Sequence, residues 1–213
     1  MKSVYLAAIL FLLTLVFSCS ENTNMPDYFP MKVNNTWKYA GEMAKMQVTE
    51  ETRTNDKIDY HVVYFDSLGI PIWEERHSRI DGRLYWTSFT PQSVFIPEIR
   101  FNPPLPSSPL SDRLGDKKVI ESVETRLDST TETVPITVEY EVESIETVEL
   151  PCGLFPDCVK MRMTISYTED VEKPYMAGTS YIWYARGIGP VSYILPSGRS
   201  TLISAKIGNR ELK

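Results

Sequence analysis

Along much of the chain, apolar and polar residues alternate with a period of two. Ile58, Tyr60, Val62 and Tyr64 alternate with Asp59 and His61 before Asp66-Ser67-Leu68-Gly69 breaks the run. Ile136, Val138, Tyr140 and Val142 alternate with Thr137, Glu139, Glu141 and Glu143, and Val159, Met161, Met163 and Ile165 alternate with Lys160, Arg162, Thr164 and Ser166. Successive side chains of a strand point to opposite faces, so each run predicts a strand with one apolar and one polar face. If the last two runs pair across residues 152–158, the basic row meets the glutamate row, each cross-strand pair contributing about 0.2–1 kcal/mol. The phase slips at Ser144-Ile145-Glu146, which predicts a bulge or bend.

Turn signals separate these runs. Asp81-Gly82, between Arg79-Ile80 and Arg83-Leu84-Tyr85-Trp86, suits a type I′ hairpin turn. Strands are also predicted over Ser180–Ala185, Val191–Leu195 and Thr201–Ile207, divided by Gly187, Gly189-Pro190 and Pro196-Ser197-Gly198. Between Phe101 and Leu114, Pro103, Pro104, Pro106 and Pro109 cannot donate to a ladder, and a long ordered loop is expected. No helical period runs long enough for a large helix. The fold class expected is all-β, mainly antiparallel: a single meander sheet of about ten strands, curled as a half-open barrel or folded as a two-layer sandwich.

The N-terminus follows a different pattern. Lys2 precedes an apolar run from Val4 to Phe17 that stops at Ser18-Cys19-Ser20. At about fourteen residues the run is short of the roughly twenty that span a bilayer, and it reads as a secretory leader. The organisation expected is a signal peptide over 1–18, a tether over 19–27 and a single β domain over 28–213. Leu15-Val16-Phe17-Ser18-Cys19 resembles the lipobox of bacterial lipoproteins, with Val16, Ser18 and Cys19 at its defining positions and a bulkier Phe17 than usual. That resemblance implies diacylglyceryl and palmitate chains on Cys19 as the first mature residue; the alternative is ordinary cleavage near Ser18. Two or more acyl chains, at about 0.8 kcal/mol per buried CH2, hold a protein stably on a membrane. Ser20 in place of aspartate favours the outer membrane under the enteric sorting rule, with the leaflet left open. Fully extended, the polar tether reaches under about 30 Å.

Removal of Lys2 with the leader leaves 21 basic against 28 acidic residues, a net charge of about −7. An acidic domain argues against nucleic acid and against electrostatic adhesion to anionic lipid. Cys152 and Cys158 remain as an even pair bracketing the turn-like Gly153-Leu154-Phe155-Pro156-Asp157. In an oxidising compartment they would form a short-loop disulfide; two free buried thiols are the alternative. No second Cys pair or nearby His completes a metal ligand set.

Tyr28-Phe29-Pro30-Met31-Lys32-Val33-Asn34-Asn35-Thr36-Trp37-Lys38-Tyr39 resembles the opening of a family of uncharacterised bacterial exported lipoproteins. Gly153-x-Phe155-x-Asp157-Cys158 and Gly187-x-Gly189-x-Val191 are similar to that family's later signatures. Asn34 replaces the usual glycine, a substitution that a left-handed turn tolerates. The resemblance implies a shared fold and carries no activity.

Catalytic chemistry has little support. His61 and His77 sit in strand patterns outside any nucleophile or metal motif, and the adjacent carboxylates Glu74-Glu75 and Glu169-Asp170 point to opposite faces if they lie in strands. Glu139, Glu141 and Glu143 lack a calcium loop, and Gly187-x-Gly189 opens no helix. No cofactor is implied. Trp37, Trp73, Trp86 and Trp183, with many tyrosines, exceed what a small sheet core needs. The expected role is a non-enzymatic, membrane-anchored envelope module that docks another envelope protein. The alternative is a carrier of a lipid or other hydrophobic small molecule under a lid at Phe101 and Leu105, and a hydrolase with dispersed carboxylates comes third. Cys19→Ala is expected to abolish incorporation of labelled palmitate and retention in the membrane fraction, both read on blots of fractionated cells.

Overall fold

Alternation becomes a sheet wherever a strand finds a neighbour on both sides. The structure, a computed structural model, describes residues 27–41, 43–92, 97–127, 131–168 and 175–213. The leader, Cys19, the tether up to residue 26 and Glu169-Asp170 lie outside the described residues. Thirteen strands follow in chain order: β1 (Thr36–Gly41), β2 (Lys45–Arg53), β3 (Lys57–Phe65), β4 (Pro71–Ile80), β5 (Arg83–Pro91), β6 (Glu98–Pro106) and β7 (Lys117–Leu127). Then come β8 (Glu132–Leu150), β9 (Gly153–Tyr167), β10 (Gly178–Ala185), β11 (Gly189–Leu195), β12 (Gly198–Ile207) and β13 (Arg210–Leu212). Each pairs antiparallel with the next, and the described residues contain no helix.

The all-β antiparallel meander stands, but the strand count and the half-open or sandwich form need correction. β1 also pairs with β12, from Thr36 opposite Lys206 to Gly41 opposite Ser200, so twelve strands close into a ring. Closure satisfies the backbone groups that an open meander would expose along its first and last strands. β13 takes the edge of β12 beyond the end of β11, with Ala205 opposite Leu212 on one side and Trp37 on the other.

The predicted hairpin, the β8–β9 charge pairing and the phase slip fall where the pattern placed them. Asp81 and Gly82 both have positive φ (49° and 77°), as a type I′ turn requires. β8 and β9 pair with Glu141 opposite Arg162, and Arg162 also reaches Glu139 at 3.2 Å and Glu143 at 3.3 Å while Lys160 meets Glu143 at 2.8 Å. Register shifts at Val142/Ser144 and Glu146/Val148 bracket the expected phase slip. The β8–β9 turn is Pro151-Cys152; residues 153–158 belong to β9 and are not a loop.

The proline run is only partly a loop. β6 continues to Pro106, because Ser88 pairs with Arg100 and Trp86 with Leu105, so the single β5 residue Thr87 faces four residues of β6. Pro103 and Pro104 sit in that bulge, where no ladder donor is needed. The Asn102–Pro103 bond is cis, and Ser122 Oγ donates to the Pro103 carbonyl at 2.7 Å. Phe101 and Leu105 therefore point into the barrel and are buried.

One end of the barrel is floored by the segment preceding β1. Phe29 packs edge-on to Trp37 at 5.6 Å, Trp37 Nε1 donates to the Ile188 carbonyl at 2.6 Å, and Tyr39 donates its hydroxyl to the Pro190 carbonyl at 2.9 Å. Asn34 has φ 72°, the left-handed turn that its sequence position implied. The opposite end carries the β1–β2, β3–β4, β9–β10 and β11–β12 connections.

Gly41 sits at the seam with φ 126°, and a Cβ there would overlap the Arg199 carbonyl oxygen of β12. Gly41→Ala is expected to destabilise the barrel by about 2 kcal/mol or more, read as a lower urea midpoint.

Candidate ligand cavity

A barrel's inner face takes every second side chain of each strand. In β4 those are Trp73, Glu75 and His77, and in β10 they are Ser180, Ile182 and Tyr184. They line a cavity of about 380 Å³ inside the barrel, floored by Phe29 and walled by Tyr64, Trp86, Met161, Met163 and Tyr193. That volume lies at the lower end of small-molecule pockets, roughly 300–1,000 Å³. Ala177, Gly178, Pro196 and Ser197 also line it and are exposed, so the mouth lies between the β9–β10 and β11–β12 turns. Asp27 accepts a backbone hydrogen bond from Gly187 at the floor end, so the chain enters the barrel opposite the mouth.

The wall is mainly apolar, and apart from Ser180 and Ser197 its polar side chains form one network. Glu75 Oε2 accepts the Tyr64 hydroxyl at 2.7 Å and pairs with His77 Nε2 at 3.0 Å. His77 Nδ1 and Ser107 Oγ are 2.8 Å apart, and Tyr184 donates to the Ser107 carbonyl at 3.0 Å. Nε2–H can donate to the carboxylate, and Nδ1 and the Ser107 hydroxyl share a hydrogen bond that either can donate. Burial, followed by the Glu75 charge, pushes the Tyr64 and Tyr184 phenols far above their ordinary range. On the same wall Tyr64 stacks on Trp73 with centroids 4.8 Å apart, and Trp73 is 6.4 Å from Phe89. Among the described residues the buried Trp73 indole N–H has no acceptor.

A buried ion pair lies on β7. Arg126 Nε donates to Glu124 Oε1 at 2.7 Å, and Tyr167 donates to Glu124 Oε2 at 2.5 Å. Arg126 also bonds Glu132 at 2.8 Å and packs 4.9 Å from the Tyr175 ring. Outside, near the floor, a concavity of about 650 Å³ is bordered by Ile145, Leu154, Asp157 and Arg186; Leu154 is 65% exposed.

The residues singled out in the sequence separate. Glu74 and Glu75 do face opposite ways: Glu74 is outside with His61, at 2.7 Å, and Glu75 inside with His77. Phe101 and Leu105 are core residues beneath the bulge and do not cover the cavity, which corrects their reading as a lid; the neighbouring Pro106 and Ser107 line it instead. Trp73 and Trp86 line the cavity, Trp37 supports its floor, and Trp183 lies outside, donating to Glu146 at 2.5 Å. Glu139, Glu141 and Glu143 are engaged by Arg162, Lys160 and Lys117. No group of three or more His, Cys, Asp or Glu among the described residues could hold a metal. The Glu75 network was missed because nothing in the pattern Trp73-Glu74-Glu75-Arg76-His77 says which carboxylate faces inward.

Cys152 and Cys158 are both free and buried. Cys152 Sγ donates to the Leu202 carbonyl and Cys158 Sγ to that of Phe155. Burial raises both thiols, Cys158 to about 11.

No family model matches the chain, and no curated protein matches it. Among solved structures it is similar to a candidate lipoprotein from Parabacteroides distasonis ATCC 8503, with a TM-score of 0.53 and 15% identity over 84% of this chain and 98% of that one. A candidate exported protein with a YmcC-like fold from Bacteroides fragilis NCTC 9343 gives a TM-score of 0.45 at 16% identity, again over 84% and 98%. At this identity the first likeness shows a shared fold.

Raised thiols hold little thiolate at neutral pH, and the thiolate is the nucleophile. Native protein at pH 7.5 is therefore expected to resist iodoacetamide at Cys158, while unfolding without reductant exposes both cysteines to alkylation, counted by intact mass. A mass that shows no alkylation until reductant is added would mean a disulfide.

Proposed function

We propose that this chain is an exported, lipid-anchored binder of a small hydrophobic molecule, which it holds inside its barrel. The observation that carries this reading is the cavity: about 380 Å³ lined by Met, Trp, Phe and Tyr side chains, with one polar network on a mainly apolar wall. A cavity inside the barrel favours a carrier over a docking module, and ring closure leaves less free strand edge for a partner to extend. The docking reading keeps one supporting feature, the exposed Leu154 and Ile145 beside the outer concavity.

The lipobox at Val16-Phe17-Ser18-Cys19 supports attachment to the envelope through Cys19, with the outer membrane favoured by Ser20. The single β domain of residues 28–213 would then follow a short tether that joins at the floor. The mouth would open away from the anchoring membrane, so ligand would be exchanged with the facing compartment or another protein.

Every strand and the floor lie between Asp27 and Leu212, so residues 20–213 behind a cleavable leader form the test protein. N-phenyl-1-naphthylamine is expected to brighten and saturate on adding this protein. Ser180→Phe, which fills the cavity from β10, is expected to weaken that binding at least about tenfold, equivalent to about 1.4 kcal/mol, without changing the fold by circular dichroism. No saturable binding to the unsubstituted protein would overturn the proposal.

A further inference from the structure

Among the described residues lining the cavity, Glu75 is the one carboxylate and there is no Lys or Arg. The contrast with Glu124 is direct: that carboxylate is fully buried, but Arg126 neutralises it at 2.7 Å. Glu75 has hydrogen-bond donors instead, and both reach the same oxygen: the Tyr64 hydroxyl and His77 Nε2 meet Oε2. Among the described residues nothing donates to Oε1.

A carboxylate facing an apolar space keeps its charge only if its oxygens are satisfied. Empty, the cavity leaves Oε1 to water. A purely hydrocarbon ligand would strip that water and replace it with nothing, at the desolvation cost of an unsatisfied charged group. A fatty acid would set a second negative charge beside the first. A protonated amine would complete the site with a charge-assisted bond. Burial raises the phenols of Tyr64, Tyr184 and Tyr193, and the Glu75 charge adds to the rise in each.

Building on the reading of the barrel as a ligand cup, we infer that its ligand is an apolar molecule carrying a primary ammonium head, with the nitrogen bonded to Glu75 Oε1 and the hydrocarbon lying among the methionines. The head sits beside β4 and the tail fills the space towards Met161 and Met163 on β9. Selectivity then comes from the Glu75 carboxylate, which no Lys or Arg of the described wall neutralises, and affinity from the apolar wall.

Three ten-carbon probes that differ only in the head test this: decylamine, decanol and decanoate, each displacing N-phenyl-1-naphthylamine from residues 20–213 at pH 7. Decylamine is expected to displace the reporter at a concentration at least tenfold lower than decanol, with decanoate weakest. Glu75→Gln is expected to bring decylamine to the level of decanol and leave decanol unchanged. If that variant does not fold, the ranking on the unsubstituted protein decides. Equal displacement by all three, or a preference for decanoate, overturns the ammonium inference and leaves the ligand cup standing. Failure of the reporter and all three probes to bind overturns the ligand cup and this inference with it.

Discussion

The pairing of β1 with β12 is the constraint on which the rest depends. Without it the chain is a long meander with two free edges and an apolar face that nothing covers. With it, that face becomes an interior. The seam is locked at the floor end by contacts between residues more than a hundred positions apart, Trp37 to the Ile188 carbonyl and Tyr39 to the Pro190 carbonyl. Gly189, with φ 107°, lets the backbone pass against the Trp37 ring, where a Cβ would stand 3.1 Å from Nε1. The two motifs at opposite ends of the chain meet there, which gives a physical reason for each: one supplies the indole and the other the room and the acceptor.

Closure at this strand number also explains why the interior is not filled. About eight strands enclose a space that side chains just fill, and the diameter grows with each strand added. Twelve strands need more, and the chain meets the demand with large residues: Trp86, Phe101, Tyr140, Tyr184 and Tyr193 all point inward and are buried. Near the floor they suffice, helped by Phe29 from the N-terminal segment. Towards the mouth, small residues such as Ser180 and Ala177 leave the space into which Glu75 faces.

Much of the local structure was legible. Alternation located β3, β8, β9 and β10, the Asp81-Gly82 dipeptide located its hairpin, and the parity slip at Ser144 located a bulge, because these depend on neighbours in sequence. The proline-rich β6 was hidden, since a proline strand is allowed only where a bulge removes the need for a donor, and that bulge is set by the register with β5. Ring closure was hidden for the same reason: no residue of β1 announces β12 as its partner. The aromatic excess fits a wide interior, since Tyr64, Trp73, Trp86 and Tyr193 line the cavity. Which of Glu74 and Glu75 faces inward depends on register, and so the most informative residue of the cavity could not be picked out beforehand.

The central claim is that the barrel encloses a site for a hydrophobic molecule, and the most direct test is to weigh what the protein carries. Residues 20–213, exported in a bacterial host and purified without detergent, would be measured by native mass spectrometry before and after organic extraction. The account predicts a fraction with added mass that disappears on extraction and is lost in Ser180→Phe. A bare polypeptide mass throughout, or added mass that Ser180→Phe retains, would contradict it.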